Sequence, residues 1–275
     1  MADPALARLR SSLTVYRRLV GARMRADWQY RTSFFLFLAG QAAVAVADFL
    51  VIATIFTNVD VLGGWTAPEV ALLFGLSGVS FGLGDLLISP VENASIRIKA
   101  GTFDQFLIRP VGVLWQLCAV EFAARRLGRT IQPLIVLVIA LTMVDLERPW
   151  LAAIAVPVTI VAGTVIFGSL WVVTSSVAFW TVDTQEFANA FTYGGGLMTS
   201  YPVDVFGQWL RRFVIFVIPL AWVAYLPAAG MLDKPMPFDL PEAVAWSSPL
   251  VAVASALIAR AVWGTALRHH RSTGS

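Results

Sequence analysis

Apolar runs long enough to cross a bilayer dominate this chain, and they leave few options for its fold. About 20 helical residues cross the hydrocarbon core of a membrane. Runs of this kind fill 34–57, 68–89, 111–143, 150–180 and 243–267, with a shorter one at 187–201 that Tyr201-Pro202 cuts off. Composition points the same way. Of 275 residues, 58% are apolar and 13% charged, against about 45–50% and about 25% in soluble domains. The expectation is an all-α membrane protein with six transmembrane helices in a single transmembrane domain.

The segments between the runs are more distinctive. Over 5–31, Leu6, Leu9, Leu13, Tyr16, Val20, Met24 and Trp28 recur every three or four residues, while seven arginines fill much of the rest. That pattern predicts an amphipathic helix lying in the lipid headgroups, with a solvated helix packed on a partner as the alternative. The 111–143 run reads as one long helix whose first half, carrying Glu121, Arg125, Arg126 and Arg129, lies at the interface before the third span begins. Glu121 and Arg125 are spaced for an i, i+4 ion pair. Between 205 and 229 the apolar pattern is broken by Arg211-Arg212, Pro219 and Pro227. This predicts re-entrant half-helices, which are tolerated only where protein or water satisfies the backbone.

Charge fixes the orientation. With six spans both termini share a side, and that side collects fifteen lysines and arginines against four on the other. The basic side is expected to be cytoplasmic. The loop at 183–186, on that side, has no basic residue. No cleavable signal peptide is read at the N-terminus, and the single Cys118 excludes an internal disulfide.

Much familiar chemistry is missing. The only lysines are Lys99, followed by Ala100, and Lys234, followed by Pro235. Neither closes a P-loop, so any ATP must be hydrolysed by another polypeptide. Gly75-Leu76-Ser77-Gly78 and Gly78-Val79-Ser80-Phe81-Gly82 match serine-nucleophile patterns. The first looks like the motif of rhomboid intramembrane proteases. Yet both histidines, His269 and His270, follow the last span, out of reach of either serine. The glycines read instead as a helix-packing face, and the histidines as a solvated tail. Asp48 and Asp85 are the candidate carboxylates of a translocation path. Asp48 alternatively pairs with Arg260, and Asp85 alternatively meets solvent near the interface.

The stretch at 96–110, IRIKAGTFDQFLIRP, is charged and structured between two spans. Gly101 marks a turn, Thr102 is a natural N-cap, and Phe103, Phe106 and Leu107 share one helical face. Asp104, Gln105 and Arg109 fall elsewhere, and Pro110 ends the helix. The run IKAGTFDQFLIRPVGVLWQ resembles the intracellular loop of ABC-2-type exporter permeases. A second run, MTSYPVDVFGQWLRRFVIFVIPLAWVAYLPA, resembles their extracellular re-entrant region, with Pro202, Trp209, Leu210, Arg211 and Pro219 in the matching places. The likeness is nearest to bacterial permeases encoded in pairs beside an ATPase. One departure is that Glu92 is the nearest glutamate before the Gly-Thr turn.

The resemblance implies a plasma-membrane exporter subunit with both termini cytoplasmic. A second permease, identical or a paralogue, completes the path, and two cytoplasmic ABC ATPase copies carry the ATP and Mg. The chain itself binds no cofactor, metal or nucleic acid. Gly101, Thr102, Phe103, Asp104, Gln105, Phe106, Leu107 and Arg109 become a coupling helix, with Phe103, Phe106 and Leu107 on its docked face. A path lined by apolar and small side chains suits lipidic, peptide or drug-like cargo. The alternative class is a stand-alone secondary transporter or channel, which often carries internal repeats; none is visible.

Overall fold

The computed structural model describes residues 20–22, 24–25, 29, 31–109, 111–146, 148–181 and 185–270. The interfacial helix expected over 5–31 therefore falls mostly outside the described residues, as does the 182–184 stretch.

The chain is a mostly helical, multi-pass membrane protein. Four described helices are long and apolar enough to cross a bilayer. They are α1 (Arg31–Phe56), α2 (Ala67–Leu87), α7 (Pro149–Ser176, continued by a 3₁₀ turn to Phe179) and α11 (Ser248–His269). Two shorter helices lie among them: α6 (Gly128–Met143) and α8 (Gln185–Met198). Helices α3 (Ala94–Lys99), α4 (Asp104–Leu107) and α5 (Val113–Val120) connect α2 to α6, and α9 (Gln208–Arg212) and α10 (Tyr225–Met231) connect α8 to α11. Large apolar side chains stay exposed along the outer faces, among them Ile135, Val138, Ile154, Val161, Leu250 and Leu257. An apolar band of this extent is what lipid covers.

Helix α2 is the centre. It is flanked by α6 and α7, with α1 lying on α6 and α11 along α7. Its glycines make this possible. A Cβ on Gly75 would stand 2.6 Å from Leu137 Cβ, and one on Gly78 would stand 2.6 Å from Pro133 Cβ. Gly82 meets Thr130 in the same row. Small residues at intervals of three and four let the backbones of α2 and α6 touch, which in lipid is a main source of helix association. On the next face Gly84 admits Trp171 and Phe167 of α7. Phe81 sits edge-on to Phe167 at 5.2 Å.

Two expectations are corrected. The 111–143 run is not one helix: α5 stops at Val120, a 3₁₀ turn spans Ala124–Leu127, and α6 starts at Gly128. Glu121, just past the end of α5, pairs with Arg97, back on α3. The last long helix begins at Ser248 rather than 243, because a 3₁₀ turn occupies Glu242–Trp246.

The loop between α1 and α2 carries structure that periodicity did not reveal. Val61–Leu62 (β1) pairs antiparallel with Trp65–Thr66 (β2). The two-residue turn is Gly63-Gly64, with φ of 59° and 87°, values that glycine reaches without strain and that suit a tight hairpin. Glu69 closes the α2 N-terminus by accepting the Thr66 N–H at 2.7 Å.

Replacing Gly75 with valine should force the α6 backbone at Leu137 away. The expected result is a loss of about 1–3 kcal/mol in a reversible unfolding assay in detergent, as for overpacked cores, whereas Gly64→Ala leaves helix packing unchanged.

Candidate functional site

One end of the bundle holds the α2–α6 connection and the end of α11; it is termed the tail end. The other, termed the hairpin end, holds β1–β2 and the α8–α11 connection. The residues singled out from sequence divide between these ends and a cavity in the middle.

At the tail end, Asp85 is buried rather than solvated. Its side chain is 4% exposed and accepts from Arg126 Nη1 at 2.8 Å, with Arg129 Nη1 3.5 Å from its other oxygen. Ser89 Oγ donates to the same carboxylate at 2.9 Å and also contacts Arg126. Glu92 Oε1 lies 3.7 Å from Arg126 Nη2. Burial pushes the Glu92 carboxyl above its ordinary range, against the lowering pull of Arg126. A buried carboxylate is expensive unless paired, and here two guanidiniums share it. Arg129 also lies over the Tyr193 and Phe81 rings, 5.5 and 5.8 Å from their centroids.

The 101–109 segment hangs from this junction. Gly101 takes a left-handed φ of 66° and turns the chain after α3. Thr102 is not an N-cap: the residue before α4 is Phe103, and the Thr102 N–H and hydroxyl turn back to the Arg97 carbonyl, at 3.0 and 3.4 Å. Helix α4 is only four residues long. The face formed by Phe103, Phe106 and Leu107 does not point outward as a unit. Phe103 and Phe106 are 1% and 5% exposed. Phe103 meets Phe179 edge-on at 5.2 Å, and the Arg97 guanidinium covers Phe106 at 5.0 Å. Gln116 Nε2, on α5, donates to the carbonyls of Phe106 at 3.1 Å and Val111 at 2.6 Å. What remains exposed is Gln105, Leu107, Ile108 and Arg109, with Ile108 at 84%. Asp104 is half-buried and meets His270. Sequence reading passed over Ile108, which follows the helix and sits off its apolar face.

In the middle, Asp48 and Arg260 are not partners. Asp48 lines a cavity of about 290 Å³ together with Phe74, Arg129, Tyr193, Ser200 and Tyr201. Arg260 instead lies in an open groove between α7 and α11, lined by Val161, Ala252 and Leu257. The two residues stand in different recesses. The serines of both motifs are buried and hydrogen-bonded within the bundle. Ser77 shares a 2.5 Å hydrogen bond with Thr199, Ser80 donates to the Leu76 carbonyl at 2.7 Å, and both histidines lie at the tail end.

At the hairpin end, the 205–229 stretch is broken into short pieces: α9, a π-turn over Phe213–Val217, a 3₁₀ turn over Leu220–Trp222, and α10. Asp204 organises them. It accepts from Arg211 at 2.9 Å, from the Tyr225 hydroxyl at 2.7 Å and from the Trp65 indole at 3.1 Å. Pro202 leads into the 3₁₀ turn holding Asp204. Lys234 bridges back to Glu69 at 3.0 Å and donates to the Gly64 carbonyl at 2.9 Å. Trp209 is 74% exposed and stacks on Phe213 at 5.4 Å. After Pro219 the Leu220 N–H closes on the Ile218 carbonyl at 2.6 Å. Asp204 and Tyr225 were not singled out from sequence, since neither stands in a charge cluster or a spaced motif.

Residues 42–274 match the family model described as ABC-2 family transporter protein. The chain belongs to the ABC-2 transporter family. The match takes in the whole α2–α6 connection and the broken α8–α11 region, the two stretches on which the resemblance rests. Comparison with curated proteins and with solved structures finds no match. Members of this family are membrane components of transporters, and the exposed apolar band of this chain agrees with that setting.

The tail-end junction of this ABC-2 chain should be intolerant of losing its carboxylate. Asp85→Asn leaves two guanidiniums without their shared partner and is expected to cost about 3–5 kcal/mol. Thermal unfolding in detergent measures it, with a smaller loss expected for Arg129→Gln.

Proposed function

We propose that this chain is the permease subunit of an ATP-driven exporter, coupled to separate ATPase subunits through its 101–109 segment. The observation that carries this reading is how the segment is held. A four-residue helix has no stability of its own, and here Phe103, Phe106 and Gln116 brace it from inside. Leu107, Ile108 and Arg109 stand out at its tip. A small element braced this firmly and exposed at its end is suited to receive a push.

The docked face is thus the Gln105, Leu107, Ile108 and Arg109 tip. Phe103 and Phe106 serve as its roots. The tail end gathers Arg97, Lys99, Arg126, Arg129 and Arg268, which supports a cytoplasmic placement of that end by the positive-inside rule. ATP and Mg belong to the partner, since neither lysine closes a P-loop.

Six spans follow if α6 and α8 also cross. The 3₁₀ turn at Ala124–Leu127 and α6 together run roughly 32 Å, close to the hydrocarbon thickness of about 30 Å. Helix α8, nearer 21 Å, spans with the turn that follows it. The broken pieces at the hairpin end then form extracellular re-entrant helices. The translocation path runs by the Asp48 cavity, between α1, α2, α6 and α8. A second permease, identical or a paralogue, closes its open side. Aromatic and aliphatic walls with one carboxylate and one guanidinium suit an amphipathic cargo. The setting is a bacterial plasma membrane.

Substituting Ile108 with aspartate tests the reading, because it changes the tip without touching the roots. Co-purification of a soluble P-loop ATPase with the chain should fall at least tenfold while membrane insertion is unchanged. Undiminished recovery of the ATPase would contradict docking at this tip.

A further inference from the structure

The adjacent histidines near the end of the chain look, in sequence, like a solvated tail. The structure treats the second one differently. The His270 side chain is only 7% exposed, and its Nε2 lies 2.8 Å from Asp104 Oδ1. Its ring stands edge-on to Phe103 at 5.0 Å and to Phe179 at 5.7 Å. The His270 N–H still bonds the Ala266 carbonyl at 3.1 Å, so the residue caps the C-terminus of α11. Phe179, at the end of α7, meets Trp263 of α11 edge-on at 5.6 Å. The 101–109 segment, the end of α7 and the end of α11 therefore share one aromatic joint, closed by a polar contact.

We infer that His270 is a positioning residue that fastens the 101–109 segment to α11, so that displacement of the segment is delivered to the last span. This rests on the docking reading above. The Gly101 turn lies at the root of the segment, where a left-handed glycine offers little resistance to bending. Without a second attachment, a push on the tip would be absorbed there. Phe106 and Gln116 tie the segment to α5, and Arg97 over the Phe106 ring ties it to α3. Phe103 and Asp104 are what tie it to α7 and α11, and both contacts run through or beside the His270 ring. Transmission between distant elements requires such a packed, continuous route. His269, one residue earlier, faces Trp180 instead, at 5.8 Å, and takes no part.

The experiment uses the full chain purified with its ATPase, spin-labelled at Ile139→Cys on α6 and Leu257→Cys on α11, both exposed positions away from the joint. The readout is the change in label separation when a non-hydrolysable ATP analogue is added. His270→Ala should still recover the ATPase but shrink that change at least threefold. His270→Gln, which keeps an N–H donor of similar reach, should restore most of it, a rescue that mere loss of packing does not predict. An undiminished change in His270→Ala, or no rescue by His270→Gln, would overturn the inference while leaving the docking site standing. Loss of the ATPase from His270→Ala would overturn it too, since the residue would then serve docking rather than transmission. If the unaltered chain recovers no ATPase, or shows no nucleotide-dependent change, the docking reading itself fails and the fastening role falls with it.

Discussion

The pairing of buried Asp85 with Arg126 and Arg129 is the constraint on which the tail end of the molecule depends. A carboxylate withdrawn from water at the end of a membrane helix is tolerated only if its partners stay in place. Those partners arrive from the 3₁₀ turn before α6 and from α6 itself. Ser89 adds a third contact from the turn that leaves α2. The exit from α2 and the return into α6 are thereby pinned to one point. The connecting segment between them is a loop with both roots fixed, and its tip has a defined place.

The hairpin end repeats the device with different residues. Asp204 gathers Arg211, Tyr225 and Trp65, and Lys234 reaches back to Glu69 and the hairpin turn. Between these two carboxylate-centred ends, α2 and α6 are held by backbone contact at Gly75, Gly78 and Gly82. Polar networks locate the ends, where their alternatives are costly, and close packing joins the middle. The Asp48 cavity lies where that packing gives way, beside α8.

The long helices were legible because hydrophobic length is a one-dimensional signal. The glycine row of α2 was legible for a similar reason: spacing of three and four reports a helix face directly. What sequence could not supply was what each face meets. Phe103, Phe106 and Leu107 do share a stripe, yet periodicity cannot distinguish lipid, a partner and the chain's own core. Two of the three turned inward onto Phe179 and beneath Arg97. The same gap hid the reach of Glu121 to Arg97 on a distant helix. Asp85 and Asp48 looked alike as lone carboxylates in apolar runs. Only the fold brings two arginines to one and leaves the other beside a cavity. His270 carried no pattern at all, since an aromatic joint assembled from three remote segments leaves no local trace. The hairpin was readable in principle, because Gly63-Gly64 between apolar pairs is a turn signal; the length of the neighbouring spans masked it.

The central claim is that the exposed tip of the 101–109 segment is where a companion ATPase applies force. Placing a photoreactive side chain at position 107 in intact membranes tests this most directly. The account predicts a covalent adduct between the chain and a soluble, ATP-hydrolysing protein, formed at a yield that changes when nucleotide is bound. Adducts with lipid alone, whatever the nucleotide, would contradict it.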